Sequence, residues 1–190
     1  PGSQSQLAVA LLSMCVGLQA LPPPRRVDHE LDTMVNLAKN ILHDTKIAFR
    51  QFKLKFPSEG EHRLETLPVL SGSASDLGAI QVTNALSKID SDLRSYEEHF
   101  EWLKKAEVIS KAPLEQSITK IHSKTQNLAN HIEHLMNRHN IPKSNFSPPQ
   151  LPPQHATHWS AVHAGHAIFH HFKLFMDWTV RALVVLQNKH

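Results

Sequence analysis

Residues 159–186, WSAVHAGHAIFHHFKLFMDWTVRALVVL, form the apolar stretch that the rest of the chain has to cover. Their apolar residues recur at steps of three and four, which predicts one long helix. These residues are Val162, Ile168, Phe169, Phe172, Phe175, Met176, Leu183 and Leu186. Because the apolar surface is too wide for a single neighbour, the pattern predicts a helix inside a bundle. Two residues do not fit this burial: Trp159 precedes the apolar run, and Arg181 is charged within its last turns.

The composition fits one helical domain. The chain has 190 residues, of which 41% are hydrophobic and 19% charged, which is enough for one buried core and too short to suggest two. Six glycines and a single tyrosine argue against a fold rich in strands. The net charge of +3 is small, and no block of Lys and Arg interleaved with aromatic residues occurs. These features argue against nucleic-acid binding.

Residues 7–20, LAVALLSMCVGLQA, carry no charge and contain the only cysteine, Cys15. The run is too short to span a bilayer and has the length of a signal-peptide core. A helix that caps the bundle is the less favoured interpretation, because the run is apolar all round. We therefore predict that residues 1–20 are a leader, cleaved between Gly17 and Pro22, and that the protein is secreted without membrane insertion. The mature protein would then contain no disulfide.

Apolar spacing predicts three further helices. They cover about residues 29–55, 75–104 and 113–138, and the fourth helix covers about 159–187. A proline-containing tail, residues 21–28, precedes them. Serines just before the second helix are suitable N-caps, and a proline suits the first turn of the third.

The lengths of the connections predict the topology. A short link joins the second and third helices, so these two must be antiparallel neighbours. The other two connections, residues 57–73 and 140–158, are long enough to return along the whole bundle. The sequence therefore predicts an all-α domain over residues 29–190, an up-up-down-down four-helix bundle with two long crossover loops. This is the architecture of the long-chain helical cytokines.

The 15 histidines raise the question of a metal site. His163, His166 and His170 lie on one face of the last predicted helix, so a zinc site is geometrically conceivable. The pattern lacks a cysteine ligand, an HExxH motif and the carboxylates that bundle metal sites use. A solvated histidine face is therefore the favoured interpretation. A soluble bundle that binds a metal through these three residues, or an apolar ligand between its helices, remains the alternative function.

Motifs for catalysis are not found in the sequence. It contains no nucleophile elbow, phosphate-binding loop or paired acid motif, so we predict neither enzymatic activity nor a cofactor. Asp44, Asp90 and Asp92 fall on the polar faces of their helices, where a charge is usually solvated.

Four stretches of the chain resemble the interleukin-11 family, a branch of the interleukin-6 group of four-helix cytokines. They are ELDTMVNLAKNILHDT (30–45), KFPSEGEHRLETLPVL (55–70), LGAIQVTNALSKIDSDLRSYEEHFEWLKKA (77–106) and AGHAIFHHFKLFMDWTVRALVVL (164–186). The resemblance covers essentially the whole chain after the leader. Many exposed positions carry His, Asn or Lys where mammalian members have Arg or Leu, which implies a distant vertebrate homologue.

The resemblance implies a monomeric ligand that binds first an alpha receptor and then the shared signalling chain, glycoprotein 130, through three surfaces. Asp177 and Arg181 match the alpha-receptor surface at the end of the fourth helix. Lys124 and Leu128 match the second surface, which binds the signalling chain, although Lys124 replaces an arginine and so loses a planar bidentate contact. Trp159 matches the third surface, which also binds the signalling chain.

Three of these residues also have a structural interpretation. Leu128 follows the apolar register of its helix and could belong to the core. Arg181 could pair only with Asp177, one helical turn away. Trp159 could fix the chain where it enters the fourth helix.

Overall fold

The computed structural model describes residues 25–70, 81–106, 113–153 and 157–188. Within these ranges the chain forms four α-helices and no strand. The helices are α1 (Arg25–Lys55), α2 (Val82–Lys105), α3 (Leu114–Arg138) and α4 (His158–Gln187). The predicted all-α fold is therefore confirmed. The leader, residues 1–20, lies outside the described residues, so its cleavage stays a prediction.

The first helix begins earlier than predicted. α1 starts at Arg25, so residues 25–28 belong to the helix, and the predicted tail over 21–28 is too long. The sequence RRVD at these positions contains no glycine or proline that would interrupt a helix. Pro24, directly before it, is a residue type that suits the start of a helix.

The second helix begins at Val82 and not near residue 75. Gln81, directly before it, has an extended backbone with φ −76° and ψ 122°, so a continuous helix from residue 75 is excluded. Residues 71–80, where the predicted serine caps fall, lie outside the described residues. The helices predicted at 113–138 and 159–187 match α3 and α4 to within one residue at each end.

Contacts between the helix ends establish the directions of the helices. Phe52, near the end of α1, lies against His166 near the start of α4, with ring centroids 5.0 Å apart. At the other end of the bundle, Leu31 of α1, Leu86 of α2 and Leu186 of α4 line one apolar cavity of about 210 Å³, together with the end of α3. α1 and α2 therefore begin where α3 and α4 end, which is the up-up-down-down arrangement. α1 packs against α3 and α4, and α2 packs against the same two helices.

The connection between α1 and α2 runs along the bundle. We call residues 56–70 the first crossover. The hydroxyl of Thr66 lies 3.0 Å from Nε2 of His99, in the second half of α2. Further along, the carbonyl of Val69 accepts a hydrogen bond of 3.4 Å from Lys88, near the start of α2. The first crossover therefore passes α2 from its end toward its beginning.

The connection between α3 and α4 passes α2 in the opposite direction. We call residues 141–153 the second crossover. Ser144 donates a hydrogen bond of 2.8 Å to the carbonyl of Ser87, in the first turns of α2. The carbonyl of Pro152 accepts a hydrogen bond of 2.8 Å from the indole of Trp102, near the end of α2. Both crossovers are thus attached to α2 by hydrogen bonds.

Aromatic rings fill the centre of the bundle. Phe169 of α4 lies 5.3 Å from Phe52 of α1 and 5.8 Å from Phe100 of α2, measured between ring centroids. α1 and α4 approach so closely at Gly165 that a Cβ atom built there would lie 2.4 Å from Cζ of Phe52. A side chain at this position would overlap the ring, which explains a glycine in the middle of a helix, where alanine is normally more stable.

The prediction that Asp90 and Asp92 are solvated is wrong. Only 6% and 9% of their surfaces are exposed, because α3 and the crossovers cover this side of α2. Burial raises the pKa of both carboxyls. Lys88 partly offsets this for Asp92 through a hydrogen bond of 2.9 Å, and Arg94 Nε lies 3.6 Å from Asp90 Oδ1. The helical pattern of α2 cannot reveal this burial, because the burial depends on which other segments of the chain pack over the helix.

Candidate receptor-binding surfaces

Trp159 stands exposed in the first turn of α4. The helix begins at His158, where the hydroxyl of Thr157 caps it by accepting a hydrogen bond from the backbone N–H of Ser160. The indole of Trp159 remains 65% exposed, and its nearest aromatic neighbour is His163, at a ring-centroid distance of 6.1 Å. A side chain with so much free surface does little to fix the helix entrance. The capping role belongs to Thr157.

A groove lies beside Trp159 where three segments of the chain meet. Its volume is about 340 Å³, and its lining is mostly apolar. The first crossover, the second crossover and the start of α4 supply the residues Arg63, Leu64, Pro152, Trp159, Ser160, His163 and Ala164. Soluble proteins rarely leave a large aromatic side chain and an adjoining apolar groove uncovered, so this end of the bundle is a candidate interface.

Asp177 and Arg181 form an ion pair on the outer face of α4. Arg181 Nη2 lies 2.7 Å from Asp177 Oδ2, one helical turn away. The pairing proposed as a structural interpretation is therefore present. Both side chains nevertheless remain open to solvent, at 56% for the arginine and 44% for the aspartate. An exposed pair of this kind contributes little to stability and leaves both groups available to a partner.

Lys124 connects α3 to α1. Its Nζ lies 2.7 Å from one carboxylate oxygen of Asp44, and Nζ of Lys120 lies 3.2 Å from the other. Burial alone would raise the pKa of Asp44, but the hydrogen bonds from both lysines outweigh it and lower the pKa below its ordinary value. The two lysines and one carboxylate leave one positive charge in excess on this surface between α1 and α3.

Leu128 is a core residue. Its side chain is 0% exposed and belongs to the central apolar cluster, so it offers no surface to a receptor. The implied receptor contact is therefore corrected in favour of the core interpretation. Two exposed apolar residues that the pattern did not select lie on α1 instead, Ile47 at 43% and Leu54 at 78% exposure. They are separated by seven positions and share one outward face, a spacing that was visible in the sequence.

The three α4 histidines singled out in the sequence differ in exposure: His166 is buried, His163 is half-buried and His170 is exposed. His62 of the first crossover lies 4.3 Å from His163 and 4.6 Å from His166, measured between ring centroids. His166 is only 3% exposed, and its Nε2 donates a hydrogen bond of 2.7 Å to the carbonyl of Phe56. The first crossover covers His166 and part of His163, so the solvated interpretation is wrong for His166, whereas His170 is exposed as predicted. Among the residues that the structure describes, no three His, Cys, Asp or Glu side chains are placed to hold a metal ion.

Burial disfavours the protonated forms of His62 and His166. Burial lowers the pKa of His62, and the charges that His166, His163 and His170 would carry lower it further. Burial also lowers the pKa of His166, although its hydrogen bond with the Phe56 carbonyl opposes this shift. Protonation of His62 and His166 is therefore disfavoured in the folded protein.

Four helices in the up-up-down-down order, joined by two crossovers, with exposed side chains at both ends of α4, are the architecture of a long-chain helical cytokine. The Interleukin 11 family matches residues 22–190 of the chain. The chain therefore belongs to the interleukin-11 family, a family of cytokines and not of enzymes. This confirms the resemblance and the prediction that the protein is not an enzyme.

Individual relatives cover most of the chain. Interleukin-11 of Macaca fascicularis is 36% identical over 179 residues, which include 90% of this chain and 85% of that protein. Interleukin-11 of Homo sapiens is 36% identical over 173 residues, with coverage of 88% and 83%. Interleukin-11 of Mus musculus is 34% identical over 161 residues, with coverage of 84% and 81%. In the part of the chain that the structure describes, no helix is long and apolar enough to cross a bilayer.

Proposed function

We propose that this protein is a secreted, monomeric ligand that binds an interleukin-11 alpha receptor and then recruits the signalling chain glycoprotein 130. Membership of the interleukin-11 family supports the two-receptor scheme. The observation that carries the proposal is the separation of two exposed features on one rigid helix. Trp159 lies in the first turn of α4, and Arg181 lies near its end, roughly 33 Å away by helical rise. One receptor can therefore occupy each end without excluding the other.

The alpha receptor is assigned to the end of α4. Arg181 and Asp177 present a cation and an anion side by side, and the guanidinium can exchange its in-helix partner for a receptor carboxylate. The neighbouring Leu174 is 40% exposed and supplies apolar surface on the same side of the helix. An arginine beside an apolar contact is a common hot spot, where truncation costs about 2 kcal/mol of binding or more.

The second surface is assigned to the outer sides of α1 and α3. Lys124 and Lys120 supply positive charge, and Ile47 and Leu54 supply exposed apolar area. Leu128 takes no part because it is buried. A lysine in this position is a point charge without the planar fork of an arginine, so we expect this surface to tolerate variation in the geometry of its partner.

The third surface is assigned to Trp159 and the groove beside it. The experiment that tests it is Trp159→Ala, assayed for alpha-receptor binding and for assembly of the signalling complex on the same preparation. We expect alpha-receptor binding to be retained and assembly to be lost, because the indole is exposed and contributes to an interface only when a partner covers it. The variant should then compete with the native protein as an antagonist.

Two control variants make this test specific. Phe146→Ala removes another exposed aromatic ring, on the second crossover, and should leave both activities unchanged. Lys105→Ala removes an exposed cation that pairs with Glu101 one turn away at 3.1 Å, as Arg181 pairs with Asp177, and should also change neither activity. Equal loss of both activities in Trp159→Ala, or loss of neither, contradicts the assignment of the third surface.

A further inference from the structure

Histidines attach the first crossover to the bundle at two separate points. At the first point, His62 of the crossover packs against His163 and His166 of α4. At the second point, Thr66 of the crossover is hydrogen-bonded to His99 of α2. Between and beyond these points the crossover contributes one buried apolar side chain, Leu67, which is 7% exposed.

The first attachment brings three imidazole rings together. Nδ1 of His62 is shielded from solvent and has no hydrogen-bond partner among the described residues, so a proton added there gains no acceptor. A second proton on His163 or His166 would place two positive charges at ring-centroid distances of 4.3 and 4.6 Å. Like charges this close disfavour the protonated forms.

The charged groups around this attachment do not compensate for added protons. α4 contributes His170 with its neighbours His171 and Lys173, and Lys53 of α1 adds a further positive charge toward His166 and His170. Glu61 of the crossover is the carboxylate that acts on this group. Its side chain is 74% exposed and already pairs with Arg63 at 3.2 Å. The groups around the cluster are therefore mostly positive, and they disfavour its protonation.

The second attachment depends on a neutral imidazole with one defined tautomer. Nδ1 of His99 lies 2.7 Å from the carbonyl of Ser95, which can only accept, so Nδ1 carries the hydrogen. In the neutral ring Nε2 is then an acceptor, and the hydroxyl of Thr66 donates to it at 3.0 Å. Protonation removes this acceptor and places a charge on a side chain that is 0% exposed. Burial lowers the pKa of His99, and the bond to Ser95 opposes this only in part.

We propose that the first crossover is a pH-sensitive strap, and that protonation of His62 and His99 under mildly acidic conditions detaches residues 56–70 from the bundle while the four helices stay folded. The core that holds the helices together consists of apolar and aromatic side chains that do not titrate between neutral and mildly acidic pH. The strap itself is held by one buried leucine, by the half-buried Phe56 and Leu64, and by polar contacts. The contacts of His62 and His99 are the ones that need neutral imidazoles.

The size of the effect follows from proton linkage. Each histidine is neutral in the closed state and has its ordinary pKa of 6.5 in the open state. Its protonation therefore raises the ratio of open to closed molecules about tenfold between about pH 7.5 and about pH 5.5. Two such histidines give a combined change of up to about 100-fold.

Thiol labelling of the full chain measures this opening. Leu67→Cys, in a Cys15→Ser background, places a thiol at the buried position of the strap, and Val69→Cys, at a position that is 78% exposed, gives the unprotected labelling rate at each pH. We expect the ratio of the two rates to rise by about tenfold or more between about pH 7.5 and pH 5.5. A ratio that stays constant overturns the proposal. Ile132→Cys, in the core of α3, reports global unfolding, and an equal rise there overturns it as well.

Histidine variants identify the groups that respond. In His62→Gln and in His99→Gln the rise should be about tenfold smaller than in the wild type, because glutamine does not titrate. His134→Gln, which removes an exposed histidine of α3, should keep the full rise. If His99→Gln does not fold, His62→Gln and the wild-type ratio still decide the outcome. An undiminished rise in His62→Gln overturns the role of the three-ring attachment.

A consequence for receptor binding rests on the proposed function. Arg63 and Leu64 of the strap line the groove beside Trp159, so opening of the strap should weaken binding of the signalling chain at acidic pH. Binding of the alpha receptor at Arg181 should change less, because this side chain lies on a helix that stays folded. If labelling shows the strap to open while signalling-chain binding is unaffected, the strap is supported and the assignment of the groove fails.

Discussion

The contact between α1 and α4 and the contact between α2 and α3 are built from different chemistry. Between α1 and α4, Phe49 stacks on Phe169 at 5.8 Å, and Gly165 allows Phe52 to approach the helix backbone. Between α2 and α3, ion pairs extend from the core toward the surface. Arg94 lies 2.5 Å from Glu133 of α3, and Asp90 and Glu97 of α2 lie 3.6 and 4.0 Å from the same guanidinium.

The two contacts therefore respond to protons in opposite directions. Next to the α1–α4 contact the buried imidazoles have lowered pKa values, so acidification costs stability there. At the α2–α3 contact burial raises the pKa of Asp90 and Glu97, whereas the hydrogen bond from Lys143 lowers that of Glu133. Acidification relieves the repulsion between the two carboxylates of α2. The comparison teaches that the fold tolerates buried titratable groups, and that the side near Trp159 is the one that acid weakens.

Gly165→Ala should have the largest effect on stability. The added methyl group would lie 2.4 Å from Cζ of Phe52, a ring that is 0% exposed and enclosed by other aromatic side chains. Overpacking of this kind costs about 1–3 kcal/mol, which outweighs the helix propensity gained with alanine. The free energy of unfolding, measured by urea denaturation, should fall accordingly.

A second substitution checks the cause of this loss. Phe52→Leu removes the atoms that the methyl group meets, so the double variant should lose less stability than the sum of the two single variants. Strict additivity would mean that the close contact between α1 and α4 is not what requires a glycine at this position.

Glu97→Gln should have a smaller effect, of opposite sign. Burial raises the pKa of Glu97 to about 7 from its ordinary 4.5; Arg94 opposes this shift, and Asp90 adds to it. The folded state therefore binds more protons than the unfolded state between about pH 4.5 and 7, and the stability present below pH 4.5 is lost as the pH rises through 7. Glutamine should thus stabilise the protein by about 1 kcal/mol above pH 7, and the gain should vanish in acid.

The matched control for this change is Glu98→Gln. Glu98 is the next residue of α2 and is exposed, and its charge is the smallest contribution to the raised pKa of Glu97, so its neutralisation should change the pH dependence of unfolding much less. The measurement is the urea midpoint from about pH 5 to pH 8 for both variants and the wild type. A gain in Glu97→Gln that is the same at every pH would show that the charge is not its cause.

Arg181→Ala should have the smallest effect on stability. Its ion pair with Asp177 is exposed and lies outside both helix contacts compared above, so the free energy of unfolding should change by less than about 0.5 kcal/mol. Alpha-receptor affinity of the same variant should nevertheless drop by about 30-fold or more if the arginine is a hot spot. A large loss of thermal stability with intact affinity would show Arg181 to be structural.

Much of the fold could be predicted from the sequence because helix formation is periodic and local. The apolar steps of α3 and α4 gave their ranges to within a residue, and the lengths of the connections gave the topology. The start of α2 was predicted wrongly, because Gln81 has an extended backbone although neither it nor Val82 is a glycine or a proline. The exposure of Trp159 and Arg181 was visible as a departure from the apolar pattern.

The sequence by itself determined the class of fold, the family and the exposed residues at the two ends of α4. Only the tertiary structure decided that Leu128 is buried, that Asp90 and Asp92 are covered, and that His62 reaches the histidines of α4. The physical reason is the range of the interactions. A helical period is set by neighbours three and four residues apart, whereas burial and pKa depend on segments that are distant in the chain and meet only when the crossovers pack along the bundle.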